Sequence, residues 1–229
     1  LRTSEQLIRD DPQNAEWRME LSYALNNLGA VARDLGGIDE ALTYFKRSAG
    51  IKTDVLSSRP HDDTLRYDLI DTLSWVSSGD ASEGRLSEAA AGYAEQIGML
   101  RSLVANKPDA LLWQRRLANL LLSDGQLAVS RGRLDDARER IEESIARLTT
   151  LIALEPGNKV WARDLTLAHI TAGEIADMRG DGASHIAHAL AAERSIRNFN
   201  ASADASLALQ RLIAATRVLI ARHPPGTAD

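Results

Sequence analysis

Four of the six prolines in this chain stand at Pro12, Pro60, Pro108 and Pro156, each 48 residues after the one before. Chance does not space residues this way. Self-similarity at a fixed period of about 20–50 residues marks an array in which each unit buries its apolar face only against its neighbours. A chain under that constraint is confined to stacked, near-identical units, and such architecture points to binding.

Setting the prolines in register aligns further columns. Trp17, Leu65, Trp113 and Trp161 form one, and Leu21, Leu69, Leu117 and Leu165 another. Gly36, Gly84, Gly132 and Gly180 recur in all four units. Beyond that glycine come Ala41, Ala89 and Ala137, then Phe45, Tyr93 and Ile141, where the fourth unit breaks the pattern with His185 and Ala189. The glycine column divides each unit into two helices, because glycine enters the left-handed region at a helix end without steric cost. Acidic residues follow it at Asp39, Glu40, Glu88, Asp135 and Asp136, where they complement the positive end of the second helix. Asn14, Asp62, Asp109 and Asn158 are the expected N-caps of the first helices. In the third unit Leu134, Ala137, Ile141, Ile145, Leu148 and Ile152 recur at helical spacing and make one buried stripe. The expected helices run over 14–35, 38–58, 62–79, 86–106, 110–131, 134–154, 158–179 and 183–198.

Composition agrees with an all-α chain. Hydrophobic residues make up 44% of the 229 positions but aromatics only 4%, a diet of Leu and Ala that suits close-packed helices better than strands. The net charge of −5 argues against a nucleic-acid partner, which needs concentrated Lys and Arg. Basic residues are mostly Arg, a bias that suggests a GC-rich bacterial genome. There is no cysteine, which excludes disulfides, thiolate metal sites and cysteine nucleophiles. No apolar stretch approaches the roughly 18 residues that span a bilayer. The expectation is a cytoplasmic protein with no membrane partner and no cofactor.

The run LGAVARDLGGIDEALTYF, from Leu28 to Phe45, resembles a tetratricopeptide repeat (TPR), with Leu28, Gly29, Gly36, Ala41 and Phe45 at the family's positions. Unit two keeps Gly84, Ala89 and Tyr93 but has Ser77 in place of the first glycine; unit three keeps Gly125, Gly132 and Ala137, and unit four Gly173 and Gly180. The resemblance implies an α-α superhelix of antiparallel helix pairs, here with helices lengthened to fill the longer unit, and it covers nearly the whole chain. The organisation it implies is one solenoid over 1–222, with repeats at 12–59, 60–107, 108–155 and a degenerate one at 156–202, a capping helix at 203–222 and a disordered tail at 223–229. Residues 1–11 read as the end of a truncated preceding repeat, since Leu7 and Ile8 align with Val55 and Leu56. That suggests an excised fragment whose open end could dock a second copy.

The resemblance further implies that first helices line a concave groove for a protein or peptide partner, or for another domain of the same full-length chain. The residues on that face are Tyr23, Asn26, Asn27 and Arg33 in unit one, and Asp71, Ser74, Trp75 and Ser78 in unit two. Units three and four supply Asn119, Ser123, Gln126, Glu174 and Asp177. Trp75 breaks a column otherwise occupied by Asn27, Ser123 and Thr171, so it is either a ligand anchor or a locally packed side chain. His169, His185 and His188 lack a recognised zinc spacing and read as a frayed surface helix, not a metal site. No nucleophile elbow, phosphate loop or dinucleotide fingerprint occurs. The functional expectation is therefore a non-catalytic binding module of a larger bacterial signalling protein, with self-assembly or a spacer role as the alternative.

Overall fold

The computed structural model describes residues 11, 14–199 and 207–222. Every regular element among them is an α-helix. The chain divides into two compact units, Leu1–Lys107 and Pro108–Asp229. The first contains α1 (Ala15–Asp34), α2 (Ile38–Ser58), α3 (Asp63–Ser82) and α4 (Leu86–Asn106). The second contains α5 (Leu111–Ser130), α6 (Leu134–Leu154), α7 (Lys159–Met178), α8 (Gly182–Phe199) and α9 (Leu207–Arg222). Within each unit consecutive helices pack against one another in series, giving an all-α solenoid of stacked pairs.

The turns inside the pairs share one backbone solution. Gly36, Gly84, Gly132 and Gly180 have φ of 85°, 76°, 72° and 72°. At the first, Gly36 N–H donates to Arg33 O at 2.9 Å and Gly37 N–H to Ala32 O at 2.9 Å. The same two bonds close α3, α5 and α7. This is the Schellman arrangement, which satisfies carbonyls the helix end would leave bare. The helix starts are capped less uniformly. Asn14, Asp62 and Asn158 accept from backbone N–H groups of the first turn, but α5 begins at an uncapped Ala110, and Asp109 stands one residue too early to serve.

Two boundaries differ from expectation. Helix α3 runs to Ser82, three residues past the expected end at 79, and Gly79 lies inside it. A Cβ there would lie 2.7 Å from Leu42 Cδ2. Helix α8 begins at Gly182 and places His185 where α2, α4 and α6 carry Ala41, Ala89 and Ala137; His185 is fully buried, not on a frayed surface. Its Nδ1 lies 3.1 Å from Gly173 O, a polar contact that lets an imidazole stand in an alanine position. The preceding-repeat reading of residues 1–10 and the tail at 223–229 lie outside the described residues.

The core follows the columns. In the second unit Ala118, Leu122, Ala137, Ile141, Leu148, Leu151, Trp161 and Leu165 form one cluster. In the first, Phe45 fills the space opened by Gly29, where an added Cβ would be 2.7 Å from the ring. Trp161 is buried, while Trp17 and Trp113 of the same column are half-buried.

Candidate functional site: the first-helix faces

In the first unit α1 and α3 lie side by side over α2, and the residues expected on the binding face meet between them. The Tyr23 hydroxyl donates to Asp68 Oδ2 at 3.0 Å. Asn26 Nδ2 donates to Thr72 Oγ1 at 3.0 Å, while its Oδ1 is buried with no hydrogen-bond partner. Arg33 lies over the Trp75 ring at 4.3 Å and also pairs with Asp34 at 2.8 Å. Trp75 stacks against Phe45 with centroids 6.1 Å apart and still leaves 39% of its surface exposed. Trp75 is therefore packed locally and available at once. With Ile38, Leu42, Ser78 and Ser82 this pair borders a cleft of about 50 Å³. Ser74 is turned back, its hydroxyl donating to Asp71 O at 2.7 Å, and Asn27 is exposed.

The residue that organises this face was absent from the sequence-based set. Lys52 of α2 is 2% exposed beneath it, donating to Thr72 Oγ1 at 2.9 Å and to Asp68 O at 3.2 Å. Its Nζ also lies 5.2 Å from the centre of the Tyr23 ring. Burial pushes the ammonium below its ordinary pKa, and the charges of Asp68 and Asp71 oppose that shift without cancelling it. Burial and the bond to Asp68 raise the Tyr23 phenol. A signal for Lys52 was present: the same place is Leu100 in α4, Leu148 in α6 and Ile196 in α8, so Lys52 is a charge in an apolar column.

In the second unit the polar residues of α5 and α7 are largely spent on each other. Asp164, 6% exposed, receives Arg115 Nε at 2.8 Å, Asn119 Nδ2 at 3.2 Å and Arg163 Nη2 at 3.0 Å. Gln126 Nε2 donates to Thr171 Oγ1 at 3.2 Å. Asp177 accepts from Arg222 of α9 at 2.9 Å, and Glu174 has its carboxyl raised by burial against the opposing charge of the same arginine. Ser123 is half-buried. In both units the residues singled out in the sequence lie on the first helices. Sequence reasoning did not foresee that the second unit's share is an interhelical ladder.

No family model matches the chain, and no curated protein matches it. Among solved structures it is similar to a thermophilic TPR protein in Thermus thermophilus, at 19% identity over 90% of this chain and 93% of that one, with a TM-score of 0.43. It is similar to a Podosopora anserina putative kinesin light chain with nearly identical TPR-like repeats, at 16% identity over 91% and 99%, TM-score 0.48. MamA gives 16% identity over 95% and 88%, TM-score 0.39.

Among the described residues no helix is long and apolar enough to cross a membrane, and no group of three or more His, Asp or Glu converges as a metal cage.

Proposed function

We propose that this chain is a non-catalytic protein- or peptide-binding module, built on a 48-residue TPR-like unit with lengthened helices, within a larger bacterial protein. The partner engages the first-helix face, the concave side in the family the sequence resembles. The observation that carries the reading is Asn26, whose buried Oδ1 is an acceptor with no donor among the described residues. Leaving such a group unmade costs about 1–3 kcal/mol. The same place is Leu122 in α5 and Ile170 in α7, both buried, so the fold itself accepts an apolar residue there. A donor from outside, such as a peptide N–H, completes the site once the half-buried side chain turns its oxygen toward the surface. Exposed Tyr23 and Trp75 flank it on the same face, and aromatic residues with an arginine are the side chains that dominate interface energetics.

The test compares wild type with Asn26→Leu and with an Arg33→Ala, Trp75→Ala double variant, each first shown by circular dichroism to keep its helices. Both are used to capture partners from a bacterial lysate, with affinities then measured on the purified partner. Loss of the partner by both variants supports the reading. Equal retention by all three proteins removes the interface from this face.

A further inference from the structure

Three of the chain's five histidines lie on α7 and α8, two of them breaking a uniform column and the third in a column with no common residue. His169 stands where α1, α3 and α5 carry Leu25, Leu73 and Leu121; His185 stands in the alanine column; His188 stands where α2, α4 and α6 carry Tyr44, Gly92 and Arg140. His185 is accounted for by its contact with Gly173 O. The other two face one another. His169 Nδ1 and His188 Nδ1 are 3.2 Å apart, with ring centroids at 5.4 Å and planes tilted by 38°.

We infer that His169 and His188 form a two-imidazole site for a zinc-type divalent cation, bound through the two Nδ1 atoms with water in the remaining positions. Two nitrogens each about 2.0–2.1 Å from a tetrahedral zinc stand about 3.3 Å apart, so the ion enters with a shift of a few tenths of an ångström. Metal ligation requires neutral imidazoles. Burial lowers both pKa values, His169 to about 4, the direction that favours the neutral ring. The surrounding charges are mixed. Arg194 opposes a cation at His169, whereas Glu142 and Asp181 favour one at His188. His188, though not His169, borders a cavity of about 250 Å³ together with Glu142, Asp181 and Ser184. Arg138 and Arg179 on the same cavity are already engaged, by Glu142 and Asp135. The competing arrangement is a plain N–H···N hydrogen bond between the two rings.

Zinc chloride titrated into the metal-free full chain by calorimetry at neutral pH, with magnesium chloride as the hard-cation comparator, separates the two. The expected result is one zinc ion per chain and no magnesium. His169→Leu, the residue of the other repeats, and His188→Gln should each weaken zinc at least about 10-fold. His61→Ala and His223→Ala should leave it unchanged. Ring nitrogen NMR should show the Nδ1 signals of both histidines move. Absence of binding at millimolar zinc, binding that survives both variants, or movement of Nε2 signals alone would each overturn the assignment. If His169→Leu fails to fold, His188→Gln and the ring nitrogen signals decide.

Discussion

Ser77 Oγ lies 2.2 Å from where a Cβ on residue 92 would stand, and residue 92 is Gly92. The two residues are a reciprocal exchange. Serine replaces the glycine that α1 and α5 carry as Gly29 and Gly125, and glycine replaces the side chain that α2 and α6 carry as Tyr44 and Arg140. The hydroxyl is then held by Gln96 Nε2 at 2.7 Å. Gly92→Ala alone should destabilise by about 1–3 kcal/mol through overpacking. In a Ser77→Gly background the same change should turn neutral or stabilising, because alanine is favoured over glycine in a helix interior by roughly 0.5–1 kcal/mol. Urea unfolding of the four proteins in this cycle measures it, and an unchanged cost in both backgrounds would contradict the exchange.

The turn between α5 and α6 places Gly132 at φ 72° with open space around the missing Cβ. Gly132→Ala should therefore cost about 1–2 kcal/mol from backbone strain alone. Gly98, in the exposed middle of α4 with no neighbour around a Cβ, is the counter-case, and Gly98→Ala should raise stability. Thermal melts of the two variants should move in opposite directions.

Lys52→Leu restores the residue type of its column and removes a buried ammonium. Asp68 and Thr72 keep their bonds to Tyr23 and Asn26, so no carboxylate or hydroxyl is stranded. Replacing buried charge by packed apolar groups is often neutral or stabilising by about 1–4 kcal/mol. The pH dependence follows from the lowered pKa of Lys52. Between that lowered value and the ordinary 10.5, the unfolded chain holds more protons than the folded one, so wild-type stability rises with pH across the window. The advantage of Lys52→Leu should be full at neutral pH and shrink toward pH 10.5. Denaturant unfolding at several pH values checks this, and a constant difference would show that burial does not act on the lysine charge.

The parts of this structure that repeat were legible, and the parts that break the repeat were not. The second helices α2, α4 and α6 begin and end where the glycine and alanine columns put them, because turn chemistry and apolar spacing act locally. Helix α3 runs three residues past its expected end at 79, up to the turn at Gly84, and the packing of Gly79 against Leu42 inside it is a tertiary contact that no local pattern contains. Lys52 lies on a second helix, outside the face that the family resemblance marks, although its column is readable in the sequence. The burial of His185 and the His169–His188 contact depend on how α7 and α8 pack, which no local pattern contains.

Asp164→Ala should be among the most damaging single substitutions on the second unit's face. It strands Arg115 and Asn119 together, and loss of one partner from a buried ionic group costs about 3–5 kcal/mol, the lower end applying here because Arg115 retains some solvent. Arg163→Ala should cost far less, since that side chain is half-exposed. Chemical denaturation of both variants gives the comparison.

The same carboxylate sets a mechanical property. Asp164 grips α5 through Arg115 and Asn119, and the Gln126–Thr171 bond repeats the tie further along the helices. A sliding motion of α5 past α7 would have to break all of these links together, whereas in the first unit no single residue gathers the ties, since Tyr23–Asp68, Asn26–Thr72 and the Arg33–Trp75 contact are separate. The second unit is thus braced against shear at one buried carboxylate, whereas in the first each tie can give way by itself.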